Sequence, residues 1–246
     1  MIPKAKNPNF ERGSFVHQVI NHAILNQKES PLLPPDACLG ASLIQNEGVF
    51  QMTEEVEADA KAMTLELWDK LQEYEVIHTE KSISLDIGDG WIWKAKLDSI
   101  IKPKVSDELW QGEYKSTKVY ASNLKRLYHT SIQPFLYLHI AREMGFDLKG
   151  TKMFVADKKA CVVEDITCTP QQLKEAARFI KETKERAEEV EAGGVYPRNR
   201  TACISLISEC PYRPLCVENA APSYIEECAN LMYVKESPIA HYGEGE

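Results

Sequence analysis

The chain has 246 residues, with 37 Asp+Glu against 29 Lys+Arg and a formal net charge of -8. Hydrophobic residues make up 43% and charged residues 27%, a globular composition that excludes a disordered or fibrous chain. No run of about 18 apolar residues predicts a membrane span, no apolar signal-peptide core opens the sequence, and the acidic total argues against a protein that coats nucleic acid through bulk charge.

The first expected helix covers residues 12–26, where Phe15, Val19 and Ala23 recur at intervals of four. The segment SPLLPPDACLG follows, and its three prolines are expected to forbid a helix. A second helix is expected over 53–74, with Val56, Ala60, Met63, Leu67 and Leu71 as its apolar stripe and Thr53 as its cap. The pattern then changes to alternation. Residues 76–85 and 91–101 read as strands joined by the turn sequence DIGDG, and 109–115 reads as a third strand. Helices are expected over 121–129 and 132–144, a hairpin over 152–156 and 161–167, and a long charged helix over 171–192 with Leu173, Ala177 and Ile180 inward. Gly193-Gly194 ends it. This order predicts a single α/β domain over 1–246, with a mixed central sheet flanked by helices. Its core spans about 12–192, a cysteine-bearing C-terminal cap 193–234, and a tail 235–246.

Glu113 and Lys115 are two apart on a strand, so their side chains leave the same face. A neighbouring strand can bring Asp98 beside Glu113. Two carboxylates with water oxygens suit Mg²⁺ or Mn²⁺, and a lysine beside them can orient a water or offset charge on phosphate. Alone, an E-x-K pair is commonly a solvated face with a weak ion pair. His17 lies one helical turn after Gly13, which allows close backbone approach. Gln133 and Tyr137 are also one turn apart. Taken singly, His17 reads as a surface or satisfied histidine, the Gln133–Tyr137 pair as the polar edge of a packed helix, and Glu80 as an exposed strand residue.

The set GSFVH, WKAKLDSII, WQGEYKST and QPFLY, in this order, resembles the RecB-like branch of the PD-(D/E)xK nuclease superfamily. The resemblance runs from about residue 13 to 137 and implies a restriction-endonuclease-like fold. It also implies that His17, Asp98, Glu113 and the Tyr114 backbone carbonyl ligate a divalent metal. Lys115 then positions or polarises the attacking water, and Gln133 and Tyr137 support the site and hold the strand. Ala95 stands where many relatives have glycine.

There are seven cysteines, an odd count that with no export signal predicts a reducing, cytoplasmic setting rather than a disulfide framework. Cys203, Cys210 and Cys216 are close enough to converge on zinc or an iron–sulfur cluster, or to be three buried free thiols. Cys161 and Cys168 fall on strand positions and read as structural. The ending CPYRPLC resembles that of the CRISPR-associated RecB-like exonucleases and the nuclease domain of AddB. The resemblance implies a 4Fe-4S cluster on Cys203, Cys210, Cys216 and a fourth cysteine, Cys38 or its rival Cys228, with zinc as the alternative metal.

From Tyr114 to Arg142 the chain has no Asp or Glu, and it carries Lys115, Lys118, Lys125, Arg126 and Arg142 interleaved with aromatics. Basic groups answer phosphates and aromatic faces stack on bases, so Lys118, Lys125 and Arg126 are the expected DNA contacts. The same helices could instead carry core aromatics and ordinary surface bases. The resemblance implies a DNA exonuclease acting on single strands or free ends in phage or bacterial recombination, repair or replication, with partners among recombination or replication proteins. The alternative from another class is a non-catalytic nucleic-acid-binding module with an iron–sulfur or zinc site.

Overall fold

The computed structural model describes residues 2–3, 8–50, 52–117, 128, 131–193 and 233–234. The chain divides into two compact units, Pro8–Glu185 and Met1–Asn7 with Arg186–Glu246. In the second unit, β1 (Ile2–Pro3) pairs antiparallel with β7 (Tyr233–Val234). The expected helix over 121–129 falls outside the described residues apart from Tyr128, and so do Cys203, Cys210, Cys216, Cys228, Lys118, Lys125 and Arg126.

Alternation of side chains across one sheet builds the larger unit. Its strands are β2 (Tyr74–Asp86), β3 (Ile92–Pro103), β4 (Leu109–Ser116), β5 (Leu148–Ala156) and β6 (Cys161–Thr167), adjacent in that order. All neighbours pair antiparallel except β4 and β5, which are parallel. A parallel pair needs a long crossover, and α4 (Gln133–Glu143) lies in it. Ile101 and Phe154 pack with α1 (Pro8–Glu29) and α3 (Glu54–Leu71) through Phe15, Val19, Met63 and Leu67. Their chain neighbours Ile100 and Val155 pack in a second cluster with α4 and α5 (Pro170–Glu191) through Leu138, Ile140 and Ile180. The pleat sends consecutive residues to opposite faces, so each face of the mixed sheet is covered by helices.

Three expectations need correction. The proline-rich segment does contain a helix, α2 (Pro35–Gln45). Proline breaks helix interiors, but in the first turn its missing N–H has no intrahelical partner to lose. Here Pro34 is the N-cap and Pro35 follows, while Ala37 and Cys38 donate back to the Pro34 carbonyl. On α5 the fully buried alanine is Ala176, and Ala177 is half-buried. Gly13 is also less crowded than expected, since a Cβ there would meet only Ser116 Oγ at 3.9 Å, an ordinary contact. The other helices match their patterns. Thr53 caps α3 by accepting from Val56 N. The β2–β3 turn uses Gly88, Asp89 and Gly90, all with positive φ.

Candidate active site

The site forms where the β3–β4 ladder stops. Backbone pairing runs from Ile101↔Trp110 to Ser99↔Gly112 and ends there. Beyond it, Tyr114 N–H donates to Asp98 Oδ2 at 2.7 Å, so a side chain replaces the next strand's carbonyl. A buried N–H must find a partner, and this need fixes the Asp98 carboxylate at the edge of the opening. Gly112 permits the close approach just before it: a Cβ there would fall 2.1 Å from Ser99 Oγ. That Oγ accepts from the buried Tyr114 hydroxyl at 2.6 Å.

His17 comes from α1. Its Nε2 lies 2.8 Å from the Tyr114 carbonyl and its Nδ1 3.3 Å from Asp98 Oδ1. Both neighbours are acceptors, and an imidazole satisfies two acceptors only when both nitrogens carry protons. Burial works against that cation, but the Asp98 carboxylate outweighs it and raises the His17 pKa above 6.5. For Asp98, burial favours the neutral acid. The neighbouring His17 and Lys115 charges and the Tyr114 N–H overcome it, and the Asp98 pKa is lowered.

Glu113 and Lys115 do share a face of β4, and Lys115 Nζ sits 2.6 Å from Glu113 Oε1. Glu113 is only 4% exposed. Burial, then the Asp98 charge, raise its pKa, with Lys115 opposing them. Lys115 shows the reverse balance: burial disfavours its charge, but Glu113 keeps it protonated far above neutral pH. Its Nζ also lies 5.3 Å from the centre of the Tyr128 ring. From α4, Gln133 Nε2 reaches Glu113 Oε1 at 3.4 Å and the Tyr137 hydroxyl at 3.1 Å. Six residues chosen from sequence, His17, Asp98, Glu113, Lys115, Gln133 and Tyr137, therefore meet in one place, together with the Tyr114 carbonyl.

Two neighbours were missed. Gln111 Nε2 donates to Glu113 Oε2 at 3.2 Å while its own Oε1 accepts from Thr151. Its position two residues before Glu113 was the available signal. Glu80, read as an exposed strand residue, is half-buried beside the site. Single ligand atoms of His17, Glu80 and Asp98 lie within 4.8 Å of one another. Donors on opposite sides of one Mg²⁺ are about 4.2 Å apart at bond lengths of about 2.1 Å, so this nitrogen and oxygen set fits a divalent cation. Glu113 is outside that closest trio and is held instead by Lys115, Gln111 and Gln133.

Cys38 is buried on α2. Cys161 begins β6 and Cys168 lies just past its end. Burial pushes the Cys161 thiol up to about 12 and the Cys168 thiol up to about 11, so both are poor nucleophiles. Arg142 is drawn inward and donates twice to the Leu148 carbonyl.

A helix-flanked mixed sheet with an Asp, an E-x-K strand and a histidine converging at the end of one ladder defines a nuclease-type site. The chain belongs to the PD-(D/E)XK nuclease superfamily, whose family model matches residues 2–217. That superfamily comprises hydrolytic nucleases that use divalent metals, and its substrates are nucleic acids. Among solved structures, the chain is similar to a candidate exonuclease from Eubacterium rectale, with 15% identity and a TM-score of 0.50 over 99% of this chain and 82% of that one. The protein SSO0001 matches at 13% identity with a TM-score of 0.40, over 84% of this chain and 86% of that one, too low a score to bear on the fold. No curated protein matches. Among the described residues, no helix is long and apolar enough to cross a membrane.

Proposed function

We propose that this chain is a metal-dependent deoxyribonuclease, an exonuclease acting on single-stranded DNA or free ends in recombination, repair or replication. The observation that carries the reading is the meeting of His17, Asp98, the Tyr114 carbonyl and the Glu113–Lys115 pair at the open end of the β3–β4 ladder.

In this reading His17, Asp98, Glu113 and the Tyr114 carbonyl hold Mg²⁺ or Mn²⁺. The bound cation supplies Lewis-acid activation of water and charge stabilisation on the phosphate. Lys115 stays protonated and is therefore a cation rather than a base. It orients the attacking water and offsets the charge that develops on the non-bridging oxygens. Gln133 steadies Glu113 and Tyr137 together, which fixes the carboxylate that Lys115 depends on. Lys118, Lys125 and Arg126 carry the strand's phosphates, and the C-terminal cysteines Cys203, Cys210 and Cys216 hold a 4Fe-4S cluster with a fourth thiolate from Cys38 or Cys228. The cluster's role is structural. The cysteine cap and the nuclease core form one working domain in a cytoplasmic protein.

End-labelled single- and double-stranded DNA, incubated with Mg²⁺ or Mn²⁺, tests the reading. Wild type is expected to release short products from ends. Glu113→Gln and Lys115→Ala are expected to lose at least about 10²-fold in rate, as removal of a transition-state contact does. Binding without cleavage by the wild type supports the non-catalytic module instead.

A further inference from the structure

Lys115 carries its ammonium on a flexible four-carbon stem, and an ammonium has three N–H donors and no acceptor. Glu113 Oε1 takes one donor at 2.6 Å. That single contact leaves the other two hydrogens undirected. A second anchor fixes them, because two occupied directions at a tetrahedral nitrogen determine the third. Tyr128 is placed to be that anchor. Its ring centre lies 5.3 Å from Lys115 Nζ, and its hydroxyl is hydrogen-bonded to the ammonium. The ammonium can only donate, so the phenol oxygen accepts.

Tyr128 is itself held. Its half-buried ring packs against the cluster of Ile100, Val155 and Leu138. The Tyr128 carbonyl accepts from Ser131 N–H at 3.3 Å, and Ser131 Oγ accepts from Gln133 N–H at 3.3 Å. Gln133 in turn reaches Glu113. Each member of the Glu113–Lys115 pair therefore has its own neutral holder, and the two holders are braced to each other through Ser131. A phenol is uncharged at neutral pH, and burial pushes the Tyr128 pKa higher still. The contact holds the lysine without cancelling its charge, as a further carboxylate would.

We infer that Tyr128 is a positioning residue for the reaction: its hydroxyl, together with Glu113, fixes the direction of the remaining Lys115 N–H, the one left for the attacking water or a phosphate oxygen. This rests on the nuclease reading above and extends it. Tyr128 falls between the E-x-K strand and the Q-x-x-x-Y helix and belongs to neither motif.

The test has two arms. Single-turnover cleavage of end-labelled single-stranded DNA, at saturating protein, compares wild type, Tyr128→Phe, Lys115→Ala and the double variant. Tyr128→Phe keeps the ring and loses one oxygen, so it is expected to fold as the wild type does, which thermal unfolding checks. It is expected to cleave at least about tenfold more slowly, since a misplacement of about 1 Å can cost about 10²-fold. In the Lys115→Ala background the same change is expected to cost nothing further, because a residue that acts through Lys115 has nothing left to act on. A merely structural contact would slow both backgrounds. The second arm needs no cleavage. The metal-free protein is treated with an amine-acylating reagent, and labelling of Lys115 is read by peptide mapping against the exposed Lys181. Lys115 is expected to react several-fold faster in Tyr128→Phe, because an ammonium with one acceptor fewer gives up its proton more readily. A wild-type rate in Tyr128→Phe, a further loss in the double variant, or unchanged labelling overturns the assignment. A wild type that leaves DNA intact, while Lys115 labels faster in Tyr128→Phe, ends the nuclease proposal and keeps Tyr128 as the anchor of Lys115. A wild type that cleaves DNA, while Tyr128→Phe matches it in rate and labelling, ends this assignment alone.

Discussion

His17 is held between two acceptors, the Tyr114 carbonyl and the Asp98 carboxylate, which favours its doubly protonated form. A metal requires a lone pair on that ring, so protons and metal compete for the same atom. Because the His17 pKa is raised above 6.5, the competition sets in at or above that pH, not below it. Mn²⁺ affinity is expected to fall as pH drops through this window, and far less so in His17→Gln. Metal-free stability has the opposite sign. The His17 contribution is fully present below 6.5 and is lost as pH rises through the folded-state value, whereas the Asp98 part is present above 3.8 and lost only in acid. Thermal unfolding in chelator across this range, for wild type and His17→Gln, checks it: the gap between them should close as pH rises. At this scale the sequence was informative for His17, Asp98, Glu113, Lys115, Gln133 and Tyr137, because motif spacing encodes which face each one occupies. It was silent on Glu80. Period-2 alternation says nothing of a residue whose backbone leaves the strand conformation, and nothing about a glutamate announces a positive φ.

Among the elements, β4 decides the site. It supplies Gln111, Glu113 and Lys115 to one face, while Trp110 and Tyr114 fill the core on the other. The Gly112 between them lets β3 approach, since a Cβ would sit 2.1 Å from Ser99 Oγ. Gly112→Ala is therefore expected to cost about 1–3 kcal/mol, the usual scale of overpacking. It should also disturb the Tyr114 hydroxyl–Ser99 contact that braces the strand carrying Glu113. Urea unfolding measures the first effect, and the expected companion is a weaker metal titration. An unchanged midpoint would show that Ser99 can move aside. The segment before α2 shows why element boundaries were harder to read than element types. Proline's effect on a helix depends on whether it stands at the first turn or inside, and only the folded backbone says which.

Over the whole molecule, the net charge of -8 is unevenly spread. Tyr114–Arg142 holds five cations and no acids. The two that fall among the described residues have internal partners, Lys115 with Glu113 and Arg142 with the Leu148 carbonyl. Lys118, Lys125 and Arg126, which lie outside the described residues, remain the proposed phosphate contacts. The cysteines divide in a similar way. Cys161 and Cys168 are half-buried thiols with raised pKa and pack against the core of the larger unit. That leaves Cys203, Cys210 and Cys216, with Cys38 or Cys228, for the proposed cluster. Protein purified without oxygen is expected to be brown, with thiolate–iron absorption near ~400 nm and about four irons per chain. Cys210→Ala should bleach it, while Cys168→Ala should not. Colourless wild type with neither iron nor zinc would leave the thiols free.

The sequence by itself determined the family-level arrangement. Apolar periodicity set the helices and strands, turn residues closed the β2–β3 hairpin, and the motif spacing put Asp98, Glu113 and Lys115 on faces that could meet. These features are local, because they follow from residue type and from the fixed repeats of helix and strand. Only the tertiary structure decided how the site is assembled. It ended the β3–β4 ladder at Ser99↔Gly112 and turned Asp98 to the Tyr114 N–H. It brought α1 and α4 to the same opening and set Glu80 against Asp98 across two strands. Those relations join residues from 13 to 97 positions apart. They arise from satisfying buried polar groups and filling one core, constraints that no local pattern in the chain carries.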